Sequence, residues 1–313
     1  MQFIDAAGVR RVLTFPVLIA VLEAAHRRPK IEIQDAHLGS ETARYFVRHA
    51  VDPGRYMASK LITSFPANLG QGELPAVQAV CVLFDGADGR PLAVIDGTEI
   101  TYWRTAADSA LGAKFLAAPN PGTLLVVGAG GLAPWLVRAH RTVRPSLSRV
   151  LIWNRTLARA KELARQLRQE GIDALATPGL DAATGEADVI TACTRSHKPL
   201  IKGANLRPGV HLDLVGGYTP QTREADDEAA RRALIFVDRR ESAFGGVGDI
   251  LQPIANGAIA ESDVLGDLYD LAAGTVAGRR TPEDITFFKN AGGAHLDLMT
   301  CEAVLRQLGT GFV

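Results

Sequence analysis

The chain has 313 residues, more than one compact core usually holds, so two domains are the natural expectation. Hydrophobic residues make up 47% and charged residues 22%, which excludes a disordered chain and allows a sizeable interior. The 34 basic and 34 acidic side chains cancel, so no global field draws nucleic acid or an anionic membrane, and a small molecule becomes the expected partner.

In chain order, MQFIDAAGVRRVLTFPVLIAVLEAAH carries an apolar stretch from Val12 to Leu22 that includes Pro16. It lacks the length and cleavage pattern of an export signal and reads as a strand and a first core helix. No run reaches the roughly 20 apolar residues that span a bilayer. Cys81, Cys193 and Cys301 are too few and too scattered for a disulfide framework or a zinc site, which fits a reducing cytoplasm and no metal. Residues 41–103 are rich in strand signals. VQAVCVLF, from Val77 to Phe84, is followed by DGADGR, then by PLAVID and a further Asp-Gly, the turn chemistry of hairpins. From Thr105, AADSALGAKFLA has the Ala-rich, unbranched character of a helix, which Asn120-Pro121-Gly122 ends.

The segments TLLVVGAGGLAPWLVRAH, RVLIWNRTLARAKELARQLRQ, ADVITACT and HLDLVGG alternate short apolar strands with amphipathic helices. That grammar belongs to a parallel sheet covered on both faces. The tail, ITFFKNAGGAHLDLMTCEAVLRQLG, predicts a helix after a Gly interruption, long enough to return to the first domain. The fold expected is α/β: a Rossmann-type doubly wound parallel sheet over residues 115–289, and a mixed α/β substrate-binding and dimerisation domain from 1–114 with 290–313.

Within that frame Gly128-Ala129-Gly130-Gly131-Leu132-Ala133 is a GxGxxA turn between a strand and a helix. Gly128 permits the tight turn, Gly130 lets the backbone approach a pyrophosphate, small Ala133 lets helix and strand pack closely, and the helix amino end faces the anion. NAD sites usually carry an acid at the end of the next strand, to accept from the ribose 2′-OH. Here the strand ends Trp153-Asn154-Arg155-Thr156, with Arg155 offering a cationic fork for a 2′-phosphate and Asn154 and Thr156 adding donors. NADP(H) is therefore preferred, with NAD(H) as the alternative. Cys193, Thr194 and Val215 fall where a doubly wound sheet presents residues to its ligand crevice, Cys193 as a packed thiol rather than a nucleophile. His211 and Asp213 share one face of a strand, which favours an internal hydrogen bond over metal ligation. Ala76 and Val77, after the Leu74-Pro75 turn, suggest an apolar pocket wall.

The segments SKLITSFPAN, IDGTEITYWRTAADSALGAKFLA, VVGAGG, IWNRT, DVITACT, VGGYTPQTRE and FFKNAGGAHLDL, spread in that order over roughly residues 40 to 305, resemble the landmarks of the ornithine cyclodeaminase/μ-crystallin family. The RTAA and SK segments are the more specific, since the Gly turn occurs across many dehydrogenases. By that resemblance Arg44, Lys60 and Arg104 bind the substrate carboxylate and orient the carbon that exchanges hydride with the nicotinamide. Two guanidinium groups and an ammonium suit a small acid through charge-assisted hydrogen bonds. Lys60, close to other cations and to apolar Leu61, should also lose proton affinity and become a usable acid or base. The resemblance implies a homodimer and places Lys289-Asn290 near the nicotinamide. Asp297 fits either the family pattern or a surface or capping role on the last helix.

Cyclodeaminases of the family follow the matching Val-Gly-Gly with an aspartate that serves the loss of ammonia, whereas this chain has Tyr218, a poor carboxylate substitute at neutral pH. The expected activity is therefore reduction of a cyclic ketimine, such as Δ1-pyrroline-2-carboxylate or Δ1-piperideine-2-carboxylate, to the amino acid. Ornithine cyclodeamination or alanine dehydrogenation is the enzymatic alternative, and NADPH-dependent small-ligand binding, as in μ-crystallin, the alternative of another class.

Overall fold

The computed structural model describes residues 1–40, 42–68 and 74–309; Glu41, residues 69–73 and residues 310–313, all within the expected first domain, lie outside the described residues. The chain forms two compact units, one of Met1–Thr105 with the chain from Gly293, the other of Ala106–Gly292.

The first unit is built on a six-stranded sheet. Its strands are β1 (Gln2–Ile4), β2 (Glu32–Gly39), β3 (Arg44–Asp52), β4 (Tyr56–Ser64), β5 (Val77–Asp85) and β6 (Pro91–Asp96), in the order β1-β6-β5-β4-β3-β2. All neighbours are antiparallel except β1 and β6. In β4 the alternate residues Tyr56, Ala58 and Lys60 are buried while Met57, Ser59 and Leu61 are not, the period-2 pattern of a sheet with one covered face. The β3–β4 register follows from the Asp52-Pro53-Gly54 turn, in which Gly54 takes a φ of 73° that favours glycine. The buried face carries the last helix, α11 (Ala294–Gln307), and α2 (Phe15–His26) packs against that helix. The amino-terminal segment forms two helices rather than one. Asp5 caps α1 (Ala6–Val12) by accepting from the Gly8 N–H at 2.7 Å, the chain turns extended at Leu13 and Thr14, and Pro16 sits in the first turn of α2, where a missing N–H costs little.

Helix α3 (Gly97–Leu116) starts earlier than the sequence suggests, so Arg104 lies two turns inside it instead of opening it. The second Asp-Gly is a helix start and not a hairpin turn: Asp96 Oδ1 accepts from the Glu99 N–H at 2.7 Å, an N-cap bond. Gly97 is required by packing, because a Cβ there would lie 2.8 Å from the Ala79 carbonyl carbon.

The second unit has an eight-stranded, wholly parallel sheet, β7 (Thr123–Val127), β8 (Arg149–Trp153), β9 (Asp173–Ala176), β10 (Val189–Ala192), β11 (His211–Leu214), β12 (Ala233–Val237), β13 (Val264–Asp267) and β14 (Ile285–Lys289). The order is β13-β12-β14-β11-β10-β7-β8-β9. The helices α4 (Ala133–Val143), α5 (Leu157–Gln169), α6 (Leu180–Glu186), α7 (Asp227–Arg232), α8 (Arg240–Phe244), α9 (Gly248–Ala255) and α10 (Leu268–Ala273) connect them. From β7 the chain runs outward through β8 and β9, then returns to β10 on the other side of β7, so the winding reverses between β7 and β10. This is the doubly wound arrangement expected. The switch point opens a crevice at the strands' carboxyl ends, where such sheets take their ligands. Among the described residues no helix is long and apolar enough to cross a membrane.

Candidate functional site

The GxGxxA turn sits at that switch point. β7 delivers Gly128, whose φ of 117° favours glycine and whose N–H donates to the Trp153 carbonyl at 2.8 Å. A Cβ on Gly128 would press to 3.0 Å on the Cys193 carbonyl oxygen, whereas one on Gly130 would meet nothing within 4 Å. The turn is therefore closed toward β10 and open at Gly130 and Gly131, both exposed. Leu132 caps α4, Ala133 is fully buried at its start, and Pro134 stands in the first turn. Asn154 is a brace more than a free donor: its Oδ1 accepts from the Ala129 N–H at 3.3 Å and its Nδ2 donates to the Thr156 carbonyl at 3.0 Å. Arg155 and Thr156 are exposed where α5 begins, and no acid stands at the end of β8. These features fit a dinucleotide pyrophosphate over the turn.

On the other side of the switch point, Cys193 and Thr194 follow β10, and Val215 follows β11 with its N–H on the Ala192 carbonyl at 2.9 Å. Burial, reinforced by the carboxylates of Glu224 and Asp213, pushes the Cys193 thiol well up, which leaves it protonated and unreactive. Lys289 is fully buried with its Nζ 2.9 Å from Asp249 Oδ2, so it does not present a free ammonium; Asn290 Nδ2 donates to Ser109 Oγ at 3.0 Å. His211 and Asp213 are hydrogen-bonded internally, though to different partners. His211 Nδ1 meets Thr286 Oγ1 at 2.9 Å, while Asp213 gathers Ser109 Oγ (2.9 Å), Thr191 Oγ1 (2.6 Å) and His140 Nε2 (3.1 Å). Tyr218 is 54% exposed, and Val77, the expected pocket wall, is exposed at the start of β5.

In the first unit, Lys60 and Arg104 converge on Asp297. Lys60 Nζ lies 2.6 Å from Asp297 Oδ1 and donates to Thr101 Oγ1 at 3.1 Å; Arg104 Nε lies 3.4 Å from the same Asp297 oxygen. Lys60 is 2%, Asp297 2% and Arg104 8% exposed. Asp297 is thus neither a surface nor a capping residue, because α11 carries it onto the covered face of the sheet. Burial pushes the Lys60 ammonium below the ordinary lysine range, with Asp297 opposing and Arg104 reinforcing the shift. Burial alone would raise the Asp297 carboxyl, but Lys60, Arg104 and Arg48 together hold it below its usual value. Among the described residues Arg104 has no other ion pair, and its terminal nitrogens pair with no carboxylate there.

Arg44 does not join this group. It is exposed, paired in register with Ser64, and four residues along β3 from Arg48, roughly 13 Å. Arg48 stands directly opposite Lys60 in the β3–β4 ladder and exerts its charge on Lys60 and Asp297, while its guanidinium is held by Asp35 at 3.0 Å. Arg48 is the residue the sequence reading missed, whereas Asp297 fitted the family pattern and a surface or capping role equally well. For Arg48 the signal was available, since the Asp52-Pro53-Gly54 turn sets a register that pairs positions 48 and 60.

A parallel sheet that reverses its winding at a GxGxxA turn is the architecture of a Rossmann-type dinucleotide-binding protein, and the other unit carries the buried Lys60, Arg104 and Asp297 cluster. The chain belongs to the ornithine cyclodeaminase/mu-crystallin family, whose model matches residues 42–309. It is 41% identical over 307 residues to a Δ1-pyrroline-2-carboxylate reductase of Paracoccus denitrificans, covering 98% of this chain and 97% of that protein. The structure of the Thermococcus litoralis Δ1-pyrroline-2-carboxylate reductase in complex with NADH and L-proline is similar with a TM-score of 0.92 at 27% identity, covering all of both chains (100% each). An archaeal alanine dehydrogenase dimer with bound NAD is similar with a TM-score of 0.90 at 28% identity, covering 98% of this chain and 96% of that one.

The burial of Lys60 and Asp297 has a measurable cost. Asp297→Ala, which strands two buried cations, is expected to lose about 3–5 kcal/mol of stability, read from denaturant unfolding. The double variant Lys60→Met with Asp297→Leu should recover part of that, because an apolar pair of similar size can replace the Lys60–Asp297 ion pair while Arg104 still lacks its carboxylate. A single variant as stable as the wild type would show that the pair is hydrated in solution.

Proposed function

We propose that the protein is a nicotinamide-dependent ketimine reductase that converts Δ1-pyrroline-2-carboxylate or Δ1-piperideine-2-carboxylate to the corresponding amino acid. The observation that carries this reading is Arg104, a nearly buried arginine whose terminal nitrogens make no ion pair among the described residues and which stands beside an acidified lysine. The 41% identity to a Δ1-pyrroline-2-carboxylate reductase over almost the whole chain supports it. In this reading the unit Ala106–Gly292 binds the dinucleotide and the other unit binds the substrate.

The cofactor, when bound, supplies the hydride that reaches C2 of the imine. The chain's own residues hold and charge the substrate. Lys60, Arg104 and Asp297 carry one net positive charge, which matches one substrate carboxylate. The Arg104 fork takes that carboxylate in a bidentate pair, and Arg48, rather than Arg44, adds its field from across the β3–β4 ladder. Lys60, made more acidic by burial, keeps the imine nitrogen protonated, so that C=N gains a hydride at carbon and retains a proton at nitrogen. Exposed Tyr218, where cyclodeaminases of the family are expected to carry an aspartate, disfavours ammonia loss. NADP(H) is the preferred cofactor because Arg155 is exposed at the end of β8 with no acid beside it; NAD(H) remains the alternative, as NADH is bound to the Thermococcus litoralis reductase.

The outer face of the six-stranded sheet carries exposed Phe3, Leu38, Tyr45 and Val80 among exposed Gln34, His49 and Gln78, a mixed face that a second copy of the chain would cover. A homodimer is therefore expected at micromolar concentration, and a sedimentation mass of one chain would count against it.

Arg155→Ala should raise the KM for NADPH by roughly 10- to 150-fold and leave that for NADH nearly unchanged, the loss expected for one charge-assisted contact. Equal changes would refute the 2′-phosphate assignment. Arg104→Ala should lower kcat/KM for the cyclic imine by roughly 30-fold to several thousand-fold, with NADPH binding preserved, and Arg104→Lys should recover little. These assays follow NADPH absorbance with the two imines, with pyruvate plus ammonia, and with ornithine plus NAD+. Turnover of ornithine alone would sink the reductase reading.

A further inference from the structure

The second unit contains a buried charge cluster that the reaction above does not use. Glu224, between β11 and α7, is fully buried. Its Oε1 accepts from the Thr194 N–H at 2.6 Å and from the Thr194 hydroxyl at 2.7 Å, and its Oε2 accepts from the Gly216 N–H at 2.6 Å. Thr194 follows β10 and Gly216 follows β11, so one carboxylate ties the carboxyl ends of two adjacent parallel strands. The Glu224 N–H donates to Asp249 Oδ1 at 2.7 Å on α9, and Asp249 Oδ2 accepts from Lys289 Nζ at 2.9 Å at the end of β14. Three neighbouring strands, β14, β11 and β10, therefore end on one chain of buried charges. The packing is closed: a Cβ on Gly216 would overlap the Thr194 carbonyl, and one on Gly217 the Asp249 carboxylate.

In a doubly wound sheet the two halves of a dinucleotide lie on the two sides of the switch point. The turn at Gly128 and the end of β8 take the adenosine side, which leaves the strand ends of β10 and β11 to the nicotinamide. We propose that Glu224 is the positioning residue for the nicotinamide half of the cofactor site, fixing the Thr194 and Gly216 loops in register with each other. The proposal rests on the reading of the chain as nicotinamide-dependent.

A carboxylate suits the task because it accepts from all three donors at once. Burial, with Asp249 adding its like charge and Lys289 partly compensating, pushes Glu224 up to about 7. The groups facing it are Asp249 from α9, Lys289 from β14, and Thr194 beside the protonated Cys193. Once protonated, Glu224 cannot keep three donors, since both oxygens already accept and its new O–H would face an N–H. The tie belongs to the ionised form and is lost as pH falls through neutrality.

The test compares NADPH with 2′-phospho-ADP-ribose, which lacks the nicotinamide ring. Glu224→Gln keeps the shape but sets an amide N–H against the Thr194 or Gly216 donors. It is expected to weaken NADPH binding about ten- to hundredfold and to leave the fragment within about twofold of wild type. Glu224→Asp, with the charge kept but the reach shortened, should fall between. The wild type should lose NADPH affinity, but not fragment affinity, between about pH 8 and pH 6, and this measurement stands even if both variants unfold. Unchanged NADPH binding in Glu224→Gln, equal loss of NADPH and fragment, or a flat wild-type pH profile would overturn the proposal while leaving the reductase assignment intact. A wild type that binds no nicotinamide dinucleotide would overturn both.

Discussion

Charge buried away from water must meet opposite charge at hydrogen-bond distance, and in the first unit that constraint falls on Lys60 and Asp297, 2.6 Å apart. It dictates where α11 crosses the sheet, because only a helix passing over β4 brings the carboxylate to the lysine. It also leaves the cluster unfinished. One carboxylate serves both Lys60 and Arg104, while Arg48 is neutralised by Asp35. Among the described residues the cluster thus keeps one positive charge in excess, which in the proposed function a substrate carboxylate meets.

The sheet is graded to make this possible. One cross-strand row on its covered face runs Asp35, Arg48, Lys60, Cys81, Ile95, Ile4, from a solvated ion pair at β2 to a wholly apolar end at β6 and β1. Lys60 falls where the polar and apolar parts of the row meet, which is why it is both charged and desolvated. The second unit uses carboxylates as ties as well. Asp213 gathers side chains from α3, α4 and β10, and Glu224 gathers the ends of β10 and β11.

Much of this was legible in the sequence where the physics is local. The GxGxxA turn could be placed because each position has its own steric reason, and the doubly wound sheet because apolar strands and amphipathic helices alternate with covered faces. Lys60 and Arg104 stood out by family resemblance. The rest depends on partners remote in sequence. Asp297 fits the family pattern and an ordinary helix acid equally well, because nothing near it in the chain shows that it faces Lys60. Asp96-Gly97 carries the same letters as a hairpin turn, and only the close approach of Gly97 to Ala79 makes it a helix start. Arg44 and Arg48 differ by register alone, and counting outward from the Asp52-Pro53-Gly54 turn separates them.

The first unit is discontinuous, and its two charged partners lie 237 positions apart, with the whole second unit between them. On a ribosome adding roughly 5–20 residues per second, Lys60 emerges on the order of ten to fifty seconds before the residue that neutralises it. Throughout that interval the sheet exposes the face that α11 will cover, with an ammonium in its middle, while the parallel sheet synthesised later already has all its strands. A message cut short before codon 297 would thus direct synthesis of a chain with a complete nucleotide fold and an open, cationic partner sheet: a species for chaperones and proteases to find, rather than a weakened enzyme.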